Sequence, residues 1–409
     1  MQNIFIEKPY QFIRPLMSKS VAHFFNNRLI HIPLLRFTES IIGIESRGVD
    51  RLRNSIEAGH AVLMVGNHPN VSDPVAIYDL VRQAGSPIFA MASWHLFNQT
   101  KLHTAIIRLY GGYSINREGL DRESINFSIS NLQNNVRPVL MFPEGATTRT
   151  NEALMPFLEG PTFIARTVAR RRNKTGLKTV IHPIAFRYRH VGDFDKDFDR
   201  LIVPAEEMLG LSPMGNERRN EESNERRNEK PVTRVQAALD AMVARKENEF
   251  GISGDASLEP FERRQRLADA VMDQAELRCF GEQSNEDFAN RIRNVRAHAF
   301  PEILTNELSA EEKAVRWRDL ERTYLAWQMA SYPRDYLKGN PSNERILEIA
   351  AKVLEDLTDQ RQLVGRQKVI IECCEAIEVP VAKHRGSEPD PLETEIRETL
   401  LAKMRMKDL

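Results

Sequence analysis

AVLMVGNHPNVSDPVAIYDLVRQAG, residues 61–85, runs through three patterns without a break. The first five residues are continuously apolar, which is how a strand covered on both faces reads. Gly66 to Asp73 is a polar turn, and Asp73-Pro74 is a favoured helix cap and first-turn pair. Apolar residues at helical spacing then run from Val75 to Gly85, where the helix should stop. A strand, a short turn and a helix in succession are the opening of a βαβ unit. His68 and Asp73 both fall in the turn. An imidazole takes up a proton near neutral pH, and a nearby carboxylate fixes its tautomer and stabilises its charged form. Asp73 serves equally well as a plain helix cap, so the stretch alone leaves both roles open.

The alternation continues outward. SPIFAMAS (86–93) reads as a strand, WHLFNQTKLHTAIIRLYG (94–111) as a helix and GYSINR (112–117) as a short strand. LDRESINFSISNLQNN (120–135) is helical, RPVLMFPEG (137–145) a strand, TFIARTVARRR (162–172) a helix and TVIHPIAFRYR (179–189) a fifth strand. This order predicts an α/β fold with a mainly parallel sheet flanked by helices. The character changes near residue 210. NERRNEESNERRNE (216–229) has no apolar residue, so it cannot bury surface, and residues 211–231 read as a disordered linker. Beyond it, VTRVQAALDAMVARKENEF, FERRQRLADAVMDQAELRCF, SAEEKAVRWRDLERTYLAWQMASY and NERILEIAAKVLEDL carry helical periodicity, so residues 232–409 are expected to be mainly helical. QKVIIECCEAIEV (367–379) is the one strand-like run there, a candidate to return to the N-terminal sheet.

Composition narrows the function classes. Lys plus Arg equals Asp plus Glu at 57 each in 409 residues, so the balance gives no support for a nucleic-acid partner. Residues 1–210 carry a net of about +6 and the remainder about −6, which suggests different partners for the two parts. Cys279, Cys373 and Cys374 form no CxxC, and the adjacent pair would point to opposite faces of a strand. Neither a zinc ribbon nor a disulfide framework is indicated, and a reducing compartment is expected. No signal peptide and no membrane-spanning stretch is expected. SVAHFFNNRLIHIPLLRF (20–37) reads either as a membrane-surface segment within residues 1–44 or as an ordinary helix cut by Pro33. The absence of GxSxG, GxxxxGK, GxGxxG and HExxH removes the elbow-type hydrolases, the P-loop ATPases and the zinc proteases.

Four places with possible chemistry remain, each at or just beyond the end of a predicted strand, where open α/β sheets collect ligands. The first is Asn67, His68 and Asp73. The second is Arg117, flanked by Gly111, Gly112 and Gly119, a guanidinium able to grip phosphate or to stand as a solvated loop arginine. The third is FPEGATTR (142–149), with Glu144, Gly145 and Arg149, read either as a ligand loop or as a turn with a surface ion pair. The fourth is VIHPIAF (180–186), whose Pro183 points to an edge or bulge, or to a kinked pocket wall.

Taken in order, these residues resemble the glycerophospholipid acyltransferases, the family that includes 1-acylglycerol-3-phosphate acyltransferase. Asn67, His68 and Asp73 match its Asn-His-x4-Asp motif, and Gly111, Gly112 and Arg117 match its Gly-rich turn ending in Arg. Phe142, Pro143, Glu144 and Gly145 match Phe-Pro-Glu-Gly in full, and Ile181, Pro183 and Ile184 match its proline-bearing apolar strand. The resemblance covers roughly residues 45–205, an acyltransferase α/β domain set at 45–210. Ala146 stands where the family commonly has Thr or Ser, Ser114-Ile115-Asn116 is a less bulky approach to the arginine, and His182 replaces a small apolar residue.

The resemblance implies acyl transfer from a thioester, acyl-CoA or acyl-carrier protein, to a hydroxyl of a glycerol-phosphate or lysophospholipid acceptor. In it His68 is the general base, Asp73 orients it, Asn67 or nearby backbone N–H groups stabilise the oxyanion, and Arg117 binds the acceptor phosphate. Glu144, Gly145 and Arg149 shape that subsite. The acyl donor is a co-substrate, and neither a cofactor nor a metal is implied. The partners implied are the acyl donor, a phosphate-bearing lipid acceptor and a membrane surface, with peripheral attachment on the cytoplasmic face of the inner membrane. Residues 20–37 and the basic VARRRNK (168–174) become candidates for that contact. Two rival functions keep the same residues: a catalytically silent lipid-binding scaffold, and a thioesterase in which His68 activates water.

Overall fold

The structure, a computed structural model, describes residues 8–16, 28–119, 121–211, 229–255, 257–305, 307–382 and 390–406. Residues 20–27 of the N-terminal segment and 212–228 of the polar segment therefore lie outside the described residues. The chain divides into two compact units, residues 8–189 with 367–409, and residues 1–7 with 190–366.

In chain order the first unit begins with helix α1 (Arg28–Glu39), strand β1 (Ile41–Arg47), α2 (Val49–Glu57) and β2 (Ala61–Gly66). Two short helices, α3 (Asp73–Ala76) and α4 (Tyr78–Gln83), lead to β3 (Phe89–Ser93). Then come α5 (Lys101–Leu109), β4 (Gly112–Ile115), α6 (Arg122–Gln133), β5 (Val139–Met141), α7 (Gly160–Arg172) and β6 (Thr179–His190). The second unit is helical among its described residues: α8 (Phe194–Met208), α9 (Pro231–Phe250), α10 (Pro260–Phe280), α11 (Phe288–Leu304), α12 (Ala310–Ala330) and α13 (Asn343–Thr358). The chain then re-enters the first unit as β7 (Gln367–Cys373), β8 (Ile377–Glu378) and α14 (Pro391–Met404).

One eight-stranded sheet runs in the order β1-β7-β6-β2-β5-β3-β4, with β8 antiparallel on β6. β2 is parallel to both β5 and β6, and β3 is parallel to both β5 and β4, so these five strands end at one edge. The expected α/β layering is therefore present, and β7 does return to the sheet, seated between β1 and β6.

The continuous apolar run of β2 has the predicted cause. Val62 and Met64 face one core layer with Ala76, Leu80 and Phe186, while Ala61, Leu63 and Val65 face the other with Ile164, Val168 and Ile396. Both faces are buried, and truncating a residue such as Leu63 to alanine should cost about 2–5 kcal/mol.

Several local expectations are corrected. The helix expected over 74–85 is two helices separated at Ile77. That expected over 94–111 opens as a 3-10 turn at Trp94–Asn98, and its α-helical part starts after a Thr100 cap on the His103 N–H. α1 runs through Pro33 instead of being cut there. Pro183 stands on an interior strand, not an edge: its register partner is Val65 on β2, and its carbonyl accepts the Cys374 N–H at 2.9 Å. The short α6–β5 and β2–α3 turns fit the pattern read from sequence, whereas β1 carried no strand signal there.

The helical unit packs in pairs, α10 and α11 against α12, and α8 and α9 against α13. Two of its buried cations are matched by carboxylates. Arg234 forms a two-pronged pair with Glu206 at 3.0 and 2.8 Å, and Arg291 does the same with Glu276 at 3.0 and 2.9 Å. Among the described residues no helix is long and apolar enough to cross a membrane.

Candidate active site

The turn after β2 projects His68 at the C-terminal edge of the sheet. Its Nδ1 lies 2.8 Å from Asp73 Oδ2, and its ring stacks on Phe142 with centroids 4.0 Å apart. The His68 side chain is 15% exposed while Asp73 is fully buried, so the imidazole can be reached and its partner cannot. Asp73 does not cap its helix as expected. Ser72 occupies the N-cap position, and Asp73 Oδ2 accepts the Asn70 N–H at 3.0 Å, upstream of the helix. The turn is closed by Asn70, whose Oδ1 accepts the Ser72 N–H at 3.0 Å. The carboxylate is thus held by the turn and aimed at the imidazole.

Burial pushes the Asp73 carboxyl above its usual range, and the hydrogen bonds from His68, Tyr188 and Asn70 pull it back. With Nδ1–H donating to the Asp73 carboxylate, the His68 Nε2 lone pair points away from that pair, and the Thr147 hydroxyl stands 3.2 Å from it. The expected loop after β5 therefore contributes a hydroxyl, from a threonine one place later than the family's usual Thr or Ser.

Glu144 lies behind His68. It is 2% exposed, and its two oxygens accept the His68 N–H at 3.0 Å and the Met155 N–H at 2.7 Å. In place of the subsite role expected of it, Glu144 has both oxygens on backbone N–H groups and ties the first motif to the third. Burial raises its pKa to about 7, opposed by those N–H donors. Thr148 adds a second tie, donating its N–H to the His68 carbonyl at 2.9 Å.

Gly145 has φ 71°, and a Cβ there would come within 2.7 Å of Leu158, so the tight turn needs glycine. Arg149 also takes the left-handed region at φ 64°, costly for an arginine by about 1–2 kcal/mol.

Asn67 is buried and faces away from any ligand. Its amide donates to the Phe186 carbonyl at 3.0 Å and accepts the Phe186 N–H at 2.8 Å. It fixes the first motif to β6 in place of the oxyanion contact expected of it.

Arg117 follows β4, half-buried in a turn in which Asp121 accepts the Asn116 N–H at 2.9 Å and caps α6 at Ser124. In the strand order β4 lies three positions from β2, roughly 14 Å along the shared edge. Gly111 enters that strand at φ 75°, where a Cβ would strike the Ile88 carbonyl.

In the basic run 168–174, Arg172 is buried and donates to the Gly59 carbonyl at 2.6 Å and the Gln133 carbonyl at 3.1 Å, which removes it from any surface role. His182 is buried as well, with Nε2 on Ser55 Oγ and Nδ1 on the Cys374 carbonyl, each at 2.9 Å. That polar pair explains how this strand holds an imidazole where a small apolar residue is usual.

Sequence reasoning passed over Thr147, Tyr188 and Arg397. Tyr188 on β6 donates its hydroxyl to Asp73 Oδ1. Arg397 on α14 donates to the Met155 and Leu154 carbonyls at 2.7 and 3.0 Å, bracing the loop that Glu144 holds. An unusual hydroxyl after Phe-Pro-Glu-Gly was the one available signal; the other two residues lie far away in the chain.

A parallel α/β sheet with a His–Asp pair at its C-terminal edge and a Phe-Pro-Glu-Gly turn beneath it defines an acyl-transfer architecture. Residues 44–187, roughly a third of the chain, match the family model Acyltransferase, the family of the glycerophospholipid acyltransferases. Neither a curated protein nor a solved structure matches the chain.

Proposed function

We propose that the chain moves a fatty acyl group from a thioester, acyl-CoA or acyl-carrier protein, to a hydroxyl of a glycerol-phosphate or lysophospholipid acceptor. The observation that carries this reading is His68: Nδ1 engaged by Asp73 and Nε2 facing a hydroxyl, within a domain of the acyltransferase family. The acceptor hydroxyl takes the place of Thr147 Oγ1 at Nε2. His68 removes its proton, Asp73 stabilises the imidazolium, and the oxygen attacks the thioester carbonyl. The C–S bond then breaks and the proton passes from His68 to the departing thiolate. No acyl-enzyme, cofactor or metal enters this sequence.

Arg117 is assigned to the acceptor phosphate, because a guanidinium beyond β4 offers two parallel donors on the same edge. Arg149 and the Gly145 turn shape the intervening wall. Attachment to the cytoplasmic face of a membrane is part of the proposal, since the long-chain substrates partition there. Phe37, 91% exposed on α1, and Leu102, 71% exposed on α5, are large apolar side chains suited to the headgroup boundary.

The test is incubation with labelled acyl-CoA and a panel of glycerol phosphate, lysophosphatidic acid and neutral lysolipids. Acylated phosphate-bearing lipid is expected. Free fatty acid alone would instead identify a thioesterase, and no turnover with any acceptor a silent lipid-binding protein.

A further inference from the structure

Tyr188 lies one residue beyond the span matched by the family model, on a strand whose register places Ile184 opposite Gly66. Four residues farther along β6, it has passed the end of β2 and stands level with the turn that carries His68 and Asp73. The side chain is 3% exposed. Its hydroxyl meets two oxygens, Asp73 Oδ1 and, at 3.3 Å, Ser72 Oγ.

Proton accounting assigns the direction of these contacts. Ser72 Oγ donates to Asn70 Oδ1 at 2.8 Å, so its one proton is already placed. An ionised carboxylate has no proton to give. The Tyr188 proton therefore goes to Asp73 Oδ1. The backbone of Tyr188 is clamped, because the Asn151 side chain accepts the Tyr188 N–H at 2.8 Å and donates to its carbonyl at 2.9 Å. Asn151 belongs to the loop that follows Phe-Pro-Glu-Gly, so the same loop that presents Thr147 also clamps Tyr188.

We infer that Tyr188 is a positioning residue for acyl transfer, its buried hydroxyl gripping Asp73 Oδ1 so that Oδ2 stays on His68 Nδ1. The inference rests on the reading of His68 as the base. Its physical need is plain. Asp73 is wholly buried, and a buried carboxylate drifts toward its neutral form unless donors hold its charge. Oδ2 has Asn70 and His68, and Oδ1 has Tyr188. The titratable groups that bear on Asp73 are His68 from the β2 turn, Tyr188 from β6 and Glu144 from the loop after β5. Burial and the neighbouring carboxylate keep the Tyr188 phenol far above its ordinary range, so it remains a donor throughout the working pH range.

Tyr188→Phe removes the donor and keeps the ring. With Oδ1 unsupported, Asp73 holds its proton to higher pH, and a neutral Asp73 no longer favours the imidazolium. The expected result is a kcat lowered about 10–100-fold, the range seen when a supporting partner of a reacting group is removed. The KM values should stay near wild type, and the acid limb of the kcat/KM profile should move to higher pH. In an Asp73→Asn background, Tyr188→Phe should add little, because both changes act through one group.

Wild-type activity lost in His68→Ala establishes the underlying reading, and its absence would fail that reading before Tyr188 is tested. Given that activity, an unmoved acid limb in Tyr188→Phe overturns the inference. So does an additive loss in the Asp73→Asn background or a fall in kcat explained by a lowered Tm.

Discussion

Glu144 accepts the backbone N–H of His68 at 3.0 Å, so the acidic residue of the third motif holds the histidine of the first from behind. An imidazole fixed at its backbone, at Nδ1 and on its ring face by Phe142 has few ways to turn. That preorganisation is what a general base requires, since small misplacements are costly in rate.

Replacing His68 by alanine should abolish measurable transfer, and Asp73→Asn should lower kcat by about 10²–10⁴, the usual contribution of general base catalysis. Steady-state kinetics with labelled acyl-CoA checks both. An Asp73→Asn enzyme running at the wild-type rate would remove the carboxylate from the mechanism.

Thr147 Oγ1 stands 3.2 Å from His68 Nε2, the position the proposed mechanism gives to the acceptor hydroxyl. Thr147→Ala should retain transfer, because the acceptor supplies its own hydroxyl. Loss of activity in a folded Thr147→Ala protein, together with an acyl adduct on wild-type Thr147 by mass spectrometry, would indicate an acyl-enzyme route instead.

Arg117→Ala should raise KM for phosphate-bearing acceptors by about 10–100-fold, the equivalent of one lost charge-assisted contact. Neutral lysolipids should be unaffected. Equal losses across the acceptor panel would deny Arg117 its phosphate.

The Glu144 pKa is raised from 4.5 to about 7, so between these values the folded protein binds a proton that the unfolded chain releases. Stability from this group is therefore present below about pH 4.5 and lost as pH rises through 7, by up to about 3 kcal/mol. Unfolding midpoints of wild type and Glu144→Gln, compared at pH 5 and pH 7.5, should differ in their pH dependence. Parallel curves would mean that Glu144 is ionised throughout.

Arg397→Ala should lower Tm and kcat together, since it frees the Leu154 and Met155 carbonyls beside Glu144. Two charge-assisted hydrogen bonds are worth about 3–6 kcal/mol at this kind of site. A change in Tm with kcat intact would confine Arg397 to stability.

Much of the molecule was legible in the chain itself. The apolar run 61–65 announces a strand buried on both faces, and the alternation after it announces a parallel sheet, because these are local, periodic consequences of side-chain direction. The first three motifs also stand at the ends of their strands in the order in which they were read, whereas the fourth, with Pro183, lies within β6. What local pattern could not supply was which strand lies beside which. Buried parallel strands look alike in sequence, so the seating of β7 between β1 and β6 and the interior place of Pro183 emerge only in the closed sheet.

The site divides in the same way. The pairing of His68 with Asp73 is a short-range matter of one turn. Glu144 under His68, Thr147 on Nε2, Tyr188 on Asp73 and Asn67 on Phe186 all join residues far apart in the chain. Sequence alone determined which groups could do the chemistry. Only the tertiary structure decided which of them face the substrate and which hold the others in place, because burial turns a carboxylate or an amide toward whatever donors the neighbouring strands provide.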